Sequence, residues 1–212
     1  MEDEAMADVI QLTRRRAGRS APQLPALAPV TVYFDLASPS TYLVAERIER
    51  RFGDARWRAA TAWHAPPHVG EGSVFAMEAV ERRARELRMP LVWPERFPAR
   101  VPSAMRVATF ATERGCGAAF AIAVGRLAFC GGFDIEDPDI LAEAAAAAGL
   151  EVAEALSASR DARRDRAVAA AGRALWVQGG TQMPTVGVDG DLYCGEQRIT
   201  VALARTVALA AG

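Results

Sequence analysis

The stretch Val30-Thr-Val-Tyr-Phe-Asp-Leu-Ala-Ser-Pro-Ser-Thr-Tyr-Leu43 holds a strand, a turn and the start of a helix, in that order. Val30–Asp35 is short, β-branched and aromatic, the composition of a buried strand. Ser38-Pro39 then opens a helix, with serine at the cap and proline at the first helical position. Leu43, Val44, Ile48 and Phe52 form its apolar stripe, and Gly53 stops it. Ala55–Trp63 reads as a second strand, so the segment is a β-α-β unit with the helix as crossover.

Beyond this unit the pattern turns helical. Met77, Val80, Ala84 and Leu87 recur at helical spacing, opposite Arg82, Arg83, Arg85 and Arg88. Four prolines, from Pro90 to Pro102, punctuate a loop. Helices are expected at about 102–114, 117–130, 138–148, 151–157 and 160–177. The third is the best signalled, with Asp137 as cap, Pro138 first and Gly149 as stop. After Gly179-Gly180 strands return: Pro184–Val188, the turn dipeptide Asp189-Gly190 and Asp191–Cys194 make a hairpin. A helix at about 197–210 closes the chain. The order β-α-β, helical block, β-β-α is that of an α/β thioredoxin fold with an all-helical insertion at about 72–178. One domain is therefore expected over 30–212.

The 212 residues suit one domain with an insertion. Residues 1–29 read as a flexible or docked extension: Arg14–Arg16 are followed by Pro22, Pro25 and Pro29, which break any apolar export segment. A net charge of −1 gives no basis for a nucleic-acid or anionic-membrane partner. No apolar run approaches the ~18 residues of a membrane span, and a cytoplasmic location is expected. All 25 Lys+Arg residues are arginine, which excludes Schiff-base, pyridoxal phosphate and P-loop lysine chemistry. Cys116, Cys130 and Cys194 form no Cys-X-X-Cys, so no disulfide framework or thiolate metal site is expected.

In this fold chemistry belongs where the first strand meets the first helix, because free N–H groups and the helix dipole stabilise an anion there. That position reads Ser38-Pro39-Ser40-Thr41. Across the groove a residue preceding a cis-proline offers its backbone to a ligand, and Met183-Pro184 fits this place. The alternative for Ser38 is an ordinary N-cap.

Tyr33-Phe-Asp-Leu-Ala-Ser-Pro-Ser-Thr-Tyr-Leu43 resembles the opening of 2-hydroxychromene-2-carboxylate isomerases and kappa-class glutathione transferases, both DsbA-like. The resemblance continues through Leu87–Leu91 and Gly132–Leu141 and ends in Met183–Arg198. It implies a glutathione-dependent isomerase or transferase acting on a small aromatic electrophile. It places Ser38 at the glutathione thiol as the catalytic residue, where a hydrogen bond favours thiolate. It further implies cofactor contacts at Met183, Pro184, Glu196, Gln197 and Arg198, with Pro39, Ser40, Thr41, Trp63 and His64 along the groove. The family is often dimeric, so the resemblance allows a homodimer, with a small molecule as the other partner.

Three departures support a rival reading, a catalytically divergent domain that binds a peptide or small ligand. Gln197 stands where the family often has an aspartate that holds the amino end of glutathione, leaving Glu196 as the nearest carboxylate. Thr41 replaces a second serine, and Trp63–Glu71 replaces a longer loop. In that loop His64, His68 and Glu71 read as a groove mouth and no metal site, because Pro66-Pro67 prevents the helix that would align two histidines. Cys130 and Cys194 are expected to be core residues, and Trp63, Trp93 and Trp176 could line an aromatic substrate site, with core packing the favoured expectation for each.

Overall fold

The computed structural model describes residues 29–61, 74–97 and 99–210. In β1 (Val30–Phe34) Val30, Val32 and Phe34 are buried, while Thr31 and Tyr33 are half-buried. The alternation follows from a strand whose two faces meet different layers. α1 (Pro39–Arg51) buries Leu43, Val44 and Ile48, and Phe52 ends it with its N–H on the Ile48 carbonyl at 2.8 Å. β2 (Arg56–Ala59) then runs parallel to β1, from Thr31 opposite Arg56 to Phe34 opposite Ala59. It is shorter than the expected Ala55–Trp63. β1 ends at Phe34, whose carbonyl accepts the Ala60 N–H at 3.0 Å, so the partner strand ends there too. Trp63 lies outside the described residues.

The helical block holds α2 (Val74–Leu87), α3 (Pro102–Glu113), α4 (Gly117–Phe129), α5 (Pro138–Ala147), α6 (Val152–Arg160) and α7 (Asp165–Val177). α5 carries the expected cap, with Asp137 accepting the Asp139 N–H at 2.8 Å. The single helix expected over 160–177 is interrupted. Asp161 accepts the Arg163 N–H at 3.1 Å and opens a 3₁₀ turn, Ala162–Arg164, before α7. A short acidic side chain competes for backbone donors in this way and breaks a helix that apolar spacing alone would continue. The stripe expected on α2 is shallow: Ala84 is buried, but Met77, Val80 and Leu87 are half-buried, because α2 lies along the rim.

β3 (Thr185–Val188) and β4 (Asp191–Cys194) form the expected hairpin, with positive φ at Asp189 and Gly190 as its turn requires. The sheet order is β2-β1-β3-β4, with β3 antiparallel to both neighbours. After a 3₁₀ turn at Glu196–Arg198, α8 (Ile199–Ala210) packs on β3 and β4. The helix expected from 197 thus begins two residues later. This is the thioredoxin fold with a helical insertion.

One face of the sheet packs on the helical block. Phe34, Ile48, Phe52, Val107, Phe120, Val124 and Leu141 belong to one buried cluster. Gly125 lets α4 approach α1 closely, since a Cβ there would sit 3.3–3.5 Å from Tyr42. On the other face a smaller cluster joins Ala60, Ala171, Leu175 and Met183 to Tyr33 and Leu192. α7 holds that face, and a methyl group on Gly172 would overlap the Thr61 carbonyl oxygen. Gly172→Ala should therefore destabilise the fold by about 1–3 kcal/mol, the usual cost of overpacking. Chemical unfolding measures it, and unchanged stability would mean that α7 is not seated on the β2 exit.

Candidate functional site

Antiparallel pairing sets Tyr33 opposite Thr185, which brings the chain leaving β1 and the chain entering β3 to the same end of the sheet. From β1 the backbone turns tightly. Asp35 Oδ1 accepts the Ala37 N–H at 2.9 Å, and the Ser38 N–H reaches the Asp35 carbonyl at 3.2 Å. Ser38 has the extended backbone of an N-cap and sits before Pro39, yet its hydroxyl makes no capping hydrogen bond. It is only 5 % exposed. Ser38 is thus the N-cap residue by position and backbone, but its side chain does not cap the helix. Pro39 is buried and Ser40 half-buried. Thr41, 2 % exposed, leaves its Oγ1 without a hydrogen-bond partner among the described residues.

The facing loop carries the expected cis bond between Met183 and Pro184. It is pinned on both sides: Thr185 Oγ1 donates to the Gln182 carbonyl at 2.5 Å, and the Gly195 N–H donates to the Pro184 carbonyl at 2.8 Å. A groove of about 490 Å³ opens beside it. α1 contributes Ser40 and Leu43, α2 contributes Ala79, Val80 and Arg83, and the far wall is Gln182–Met183 with Cys194–Arg198. The groove thus unites Ser40, Met183, Glu196, Gln197 and Arg198 from three distant parts of the sequence. A second cavity, about 780 Å³, lies on the other side of the β1–α1 turn. Asp35, Ala37, Met105, Val168 and Arg173 are among its lining residues. Ser38 and Pro39 fall in sequence between Ala37 on one cavity and Ser40 on the other.

The charged end of the groove holds a contact that is not evident from the sequence. Glu196, 8 % exposed, accepts from Arg83 Nε and Nη2, each at 2.9 Å, and from Arg47 Nη2. Arg83 Nη1 also reaches Glu86 at 2.8 Å. Arg198 is exposed along the groove and has no ion-pair partner among the described residues. Arg83 stands on the charged side of α2, but nothing in its spacing announces a partner beyond β4.

Other expectations change. Cys194 is a half-buried groove residue instead of a core one. Strand alternation carries the signal: with Tyr193 turned into the core, Cys194 must face the other way. Cys130 is only half-buried and sits 3.1 Å from the Tyr42 hydroxyl, which donates to the Pro90 carbonyl at 2.5 Å. Burial raises the Tyr42 pKa well above its ordinary value, so this phenol stays protonated. Trp93 packs between Phe97 and Phe129 and donates to Glu81 at 2.9 Å. Trp176 is 43 % exposed, because it falls on the outer face of α7. His64, His68 and Glu71, like Trp63, lie outside the described residues.

Burial acts to raise the Glu196 pKa, but hydrogen bonds from Arg83 and Arg47 outweigh it and hold the carboxyl below the usual range. A depressed folded-state pKa stabilises the protein above the unfolded value and loses that stabilisation as pH falls through the folded one. Stability should therefore drop on acidification below about pH 4.5, the region where an unfolded glutamate takes up its proton. Glu196→Gln should be less stable at neutral pH and show a shallower acid slope in unfolding curves recorded across pH. An identical slope would show that the pair does not survive in solution.

Among the described residues no helix is long and apolar enough to cross a membrane. A family model for the DsbA-like thioredoxin domain matches residues 29–205. Among solved structures, 2-hydroxychromene-2-carboxylate isomerase superposes with a TM-score of 0.71 at 16 % identity, covering 85 % of this chain and 95 % of that one. The cytosolic disulfide reductase DsbM from Pseudomonas aeruginosa gives 0.61 at 19 % identity, covering 85 % and 99 %. The same reductase in complex with GSH gives 0.59 at 19 % identity, covering 77 % and 87 %. No curated protein matches the sequence. With its own β-α-β and β-β-α halves closed around a helical insertion, this chain belongs to the DsbA-like thioredoxin domain family.

Proposed function

We propose that this protein is a glutathione-dependent isomerase or transferase for a small aromatic electrophile, with Ser38 as its catalytic residue. The observation that carries the reading is Ser38 itself: the residue is buried, its hydroxyl is left unused by its helix, and its neighbours in the turn, Ala37 and Ser40, line two different cavities. When bound, glutathione would supply a thiol able to add reversibly to a conjugated electrophile and leave again.

The residues present fit that group in most respects. The helix N-terminus of α1 favours an anion at Ser38, and the Ser38 hydroxyl can donate to it, so the site stabilises a thiolate at neutral pH. The pinned Met183–Pro184 segment offers backbone groups to an extended peptide along the groove. Arg198 supplies a cation for a carboxylate. Leu43, Ala79 and Val80 supply apolar contact for the peptide stem. Ala37, Met105 and Val168 make the second cavity apolar enough for an aromatic ring, with Arg173 on its wall.

One observation favours the rival, a catalytically divergent domain that binds a peptide or other small ligand. The Glu196 carboxylate is already engaged by two arginines and Gln197 is neutral, so the amino end of glutathione finds no unengaged carboxylate there. Disulfide exchange needs a thiolate at the helix start, where this chain has Ser38 and Thr41.

Glutathione titrated in the presence of the protein should show thiolate absorbance at a lower pH than free glutathione. Ser38→Ala should abolish the shift yet spare most of the affinity, since one neutral hydrogen bond contributes about 0.5–1.5 kcal/mol net. Absence of binding at millimolar glutathione would favour the rival. The protein should also fail to reduce insulin disulfides. Reduction that survives replacement of Cys116, Cys130 and Cys194 would overturn the assignment of Ser38 as a site without exchange chemistry.

A further inference from the structure

We propose that the groove recognises its ligand by a carboxylate held between Arg83 and Arg198, with Glu196 as the residue that positions Arg83, and that it does not recognise an ammonium group. The proposal rests on the glutathione reading above for the identity of the ligand, and deepens it by assigning the charged subsite.

The charges decide the question. Three charged side chains line the groove, Arg83, Glu196 and Arg198, and Arg47 stands behind Glu196. Glu196 Oε1 accepts from two guanidinium groups and Oε2 from one, so three of the roughly four acceptor sites of a carboxylate are filled. An ammonium placed here would have to displace an arginine from a buried carboxylate and then sit among three cations. A carboxylate meets the opposite situation. Arg198 is unpaired among the described residues and exposed to the groove. Arg83 commits Nε, Nη1 and Nη2 to single bonds with Glu196 and Glu86, which leaves two of its five N–H donors. Glu86 is 53 % exposed and does not line the groove, so solvent screens its charge from a bound ligand.

The geometry of Glu196 also explains why it is buried. It grips the Arg83 guanidinium through Nε and Nη2, which fixes the plane of the fork, and Arg47 balances the charge from α1. Arg83 belongs to the helical insertion and Glu196 to the turn after β4. The subsite is thus completed only when both parts of the fold are assembled. The Arg83–Glu196 pair ties α2 to the turn after β4, alongside the packing of Val80, Ala84 and Leu87 on the core.

The test is calorimetry with S-methylglutathione, whose blocked thiol makes binding independent of thiolate formation at Ser38. Two analogues accompany it: one lacks the γ-glutamyl amino group, and the other carries its α-carboxylate as an amide. Loss of the amine should change Kd by less than about threefold, and amidation should weaken binding by about tenfold or more, as expected for a charge-assisted contact. Arg198→Gln should weaken S-methylglutathione by about tenfold yet leave the amide analogue unchanged, a coupling that a purely structural role would not produce. Arg198 is exposed and unpaired, so that variant does not endanger the fold. Arg83→Gln should repeat the pattern, and Glu196→Gln should weaken the carboxylate ligand more than the amide. Equal affinity for the carboxylate and its amide, a loss above about tenfold on removing the amine, or no binding of any of the three at millimolar concentration would overturn the proposal. The thiolate titration of glutathione judges Ser38 separately. Carboxylate selectivity without a thiol shift would sink the Ser38 assignment alone, and a thiol shift without carboxylate selectivity would sink the charged subsite alone.

Discussion

The antiparallel pairing of Val30–Tyr33 with Thr185–Val188 is the contact on which the rest of the molecule depends. It joins segments from opposite ends of the domain, and the helical insertion must fit within the loop it closes. Closing so long a loop costs little more than closing a moderate one, because the entropy grows only with the logarithm of length. The buried faces repay it. Val32 and Phe34 meet the main core, while Tyr33 on the opposite face meets the Met183 cluster. The same register brings the β1–α1 turn and the Met183–Pro184 loop to one edge of the sheet. Groove and fold are consequences of one pairing.

Placing Ser38 there has a physical cost that its neighbours reveal. A serine at a helix start would ordinarily satisfy a backbone donor, and this one does not. Three residues on, Thr41 buries an Oγ1 without a partner among the described residues. Unused polar groups in a packed region are unfavourable, and each calls for an explanation such as a catalytic role or a bound partner. The Glu196 cluster follows the opposite rule. Both Glu196 carboxylate oxygens accept from arginines, so this side chain acts as a brace and a counter-ion, although Arg47 Nε beside it is buried without a partner among the described residues.

Much of the fold is legible in local sequence because the signals are local. Asp137-Pro138 and Gly149 mark both ends of a helix within a dozen residues, and Asp189-Gly190 sets a hairpin by its own backbone preference. The groove residues Ser40, Met183 and Gln197 become legible only through the order of elements, which tells where the ends of strands meet. What sequence does not carry is the pairing of surface charges. Arg47, Arg83 and Glu196 lie on three elements, and their meeting depends on the angle at which α2 rests on the rim. The break at Asp161 is hidden for a related reason: apolar spacing runs through it, while a single capping side chain overrides that spacing. The second cavity is also tertiary, since Ala37, Met105, Val168 and Arg173 share no motif.

The central claim is that the Ser38 hydroxyl is reserved for a ligand thiol. The most direct measurement is a crystal structure of the protein grown with glutathione. The expected result has the ligand sulfur within hydrogen-bond distance of Ser38 Oγ, the peptide extended along Met183 and its γ-glutamyl carboxylate near Arg198. A glutathione bound elsewhere, or a Ser38 hydroxyl turned inward to cap α1 while the ligand occupies the groove, would contradict it.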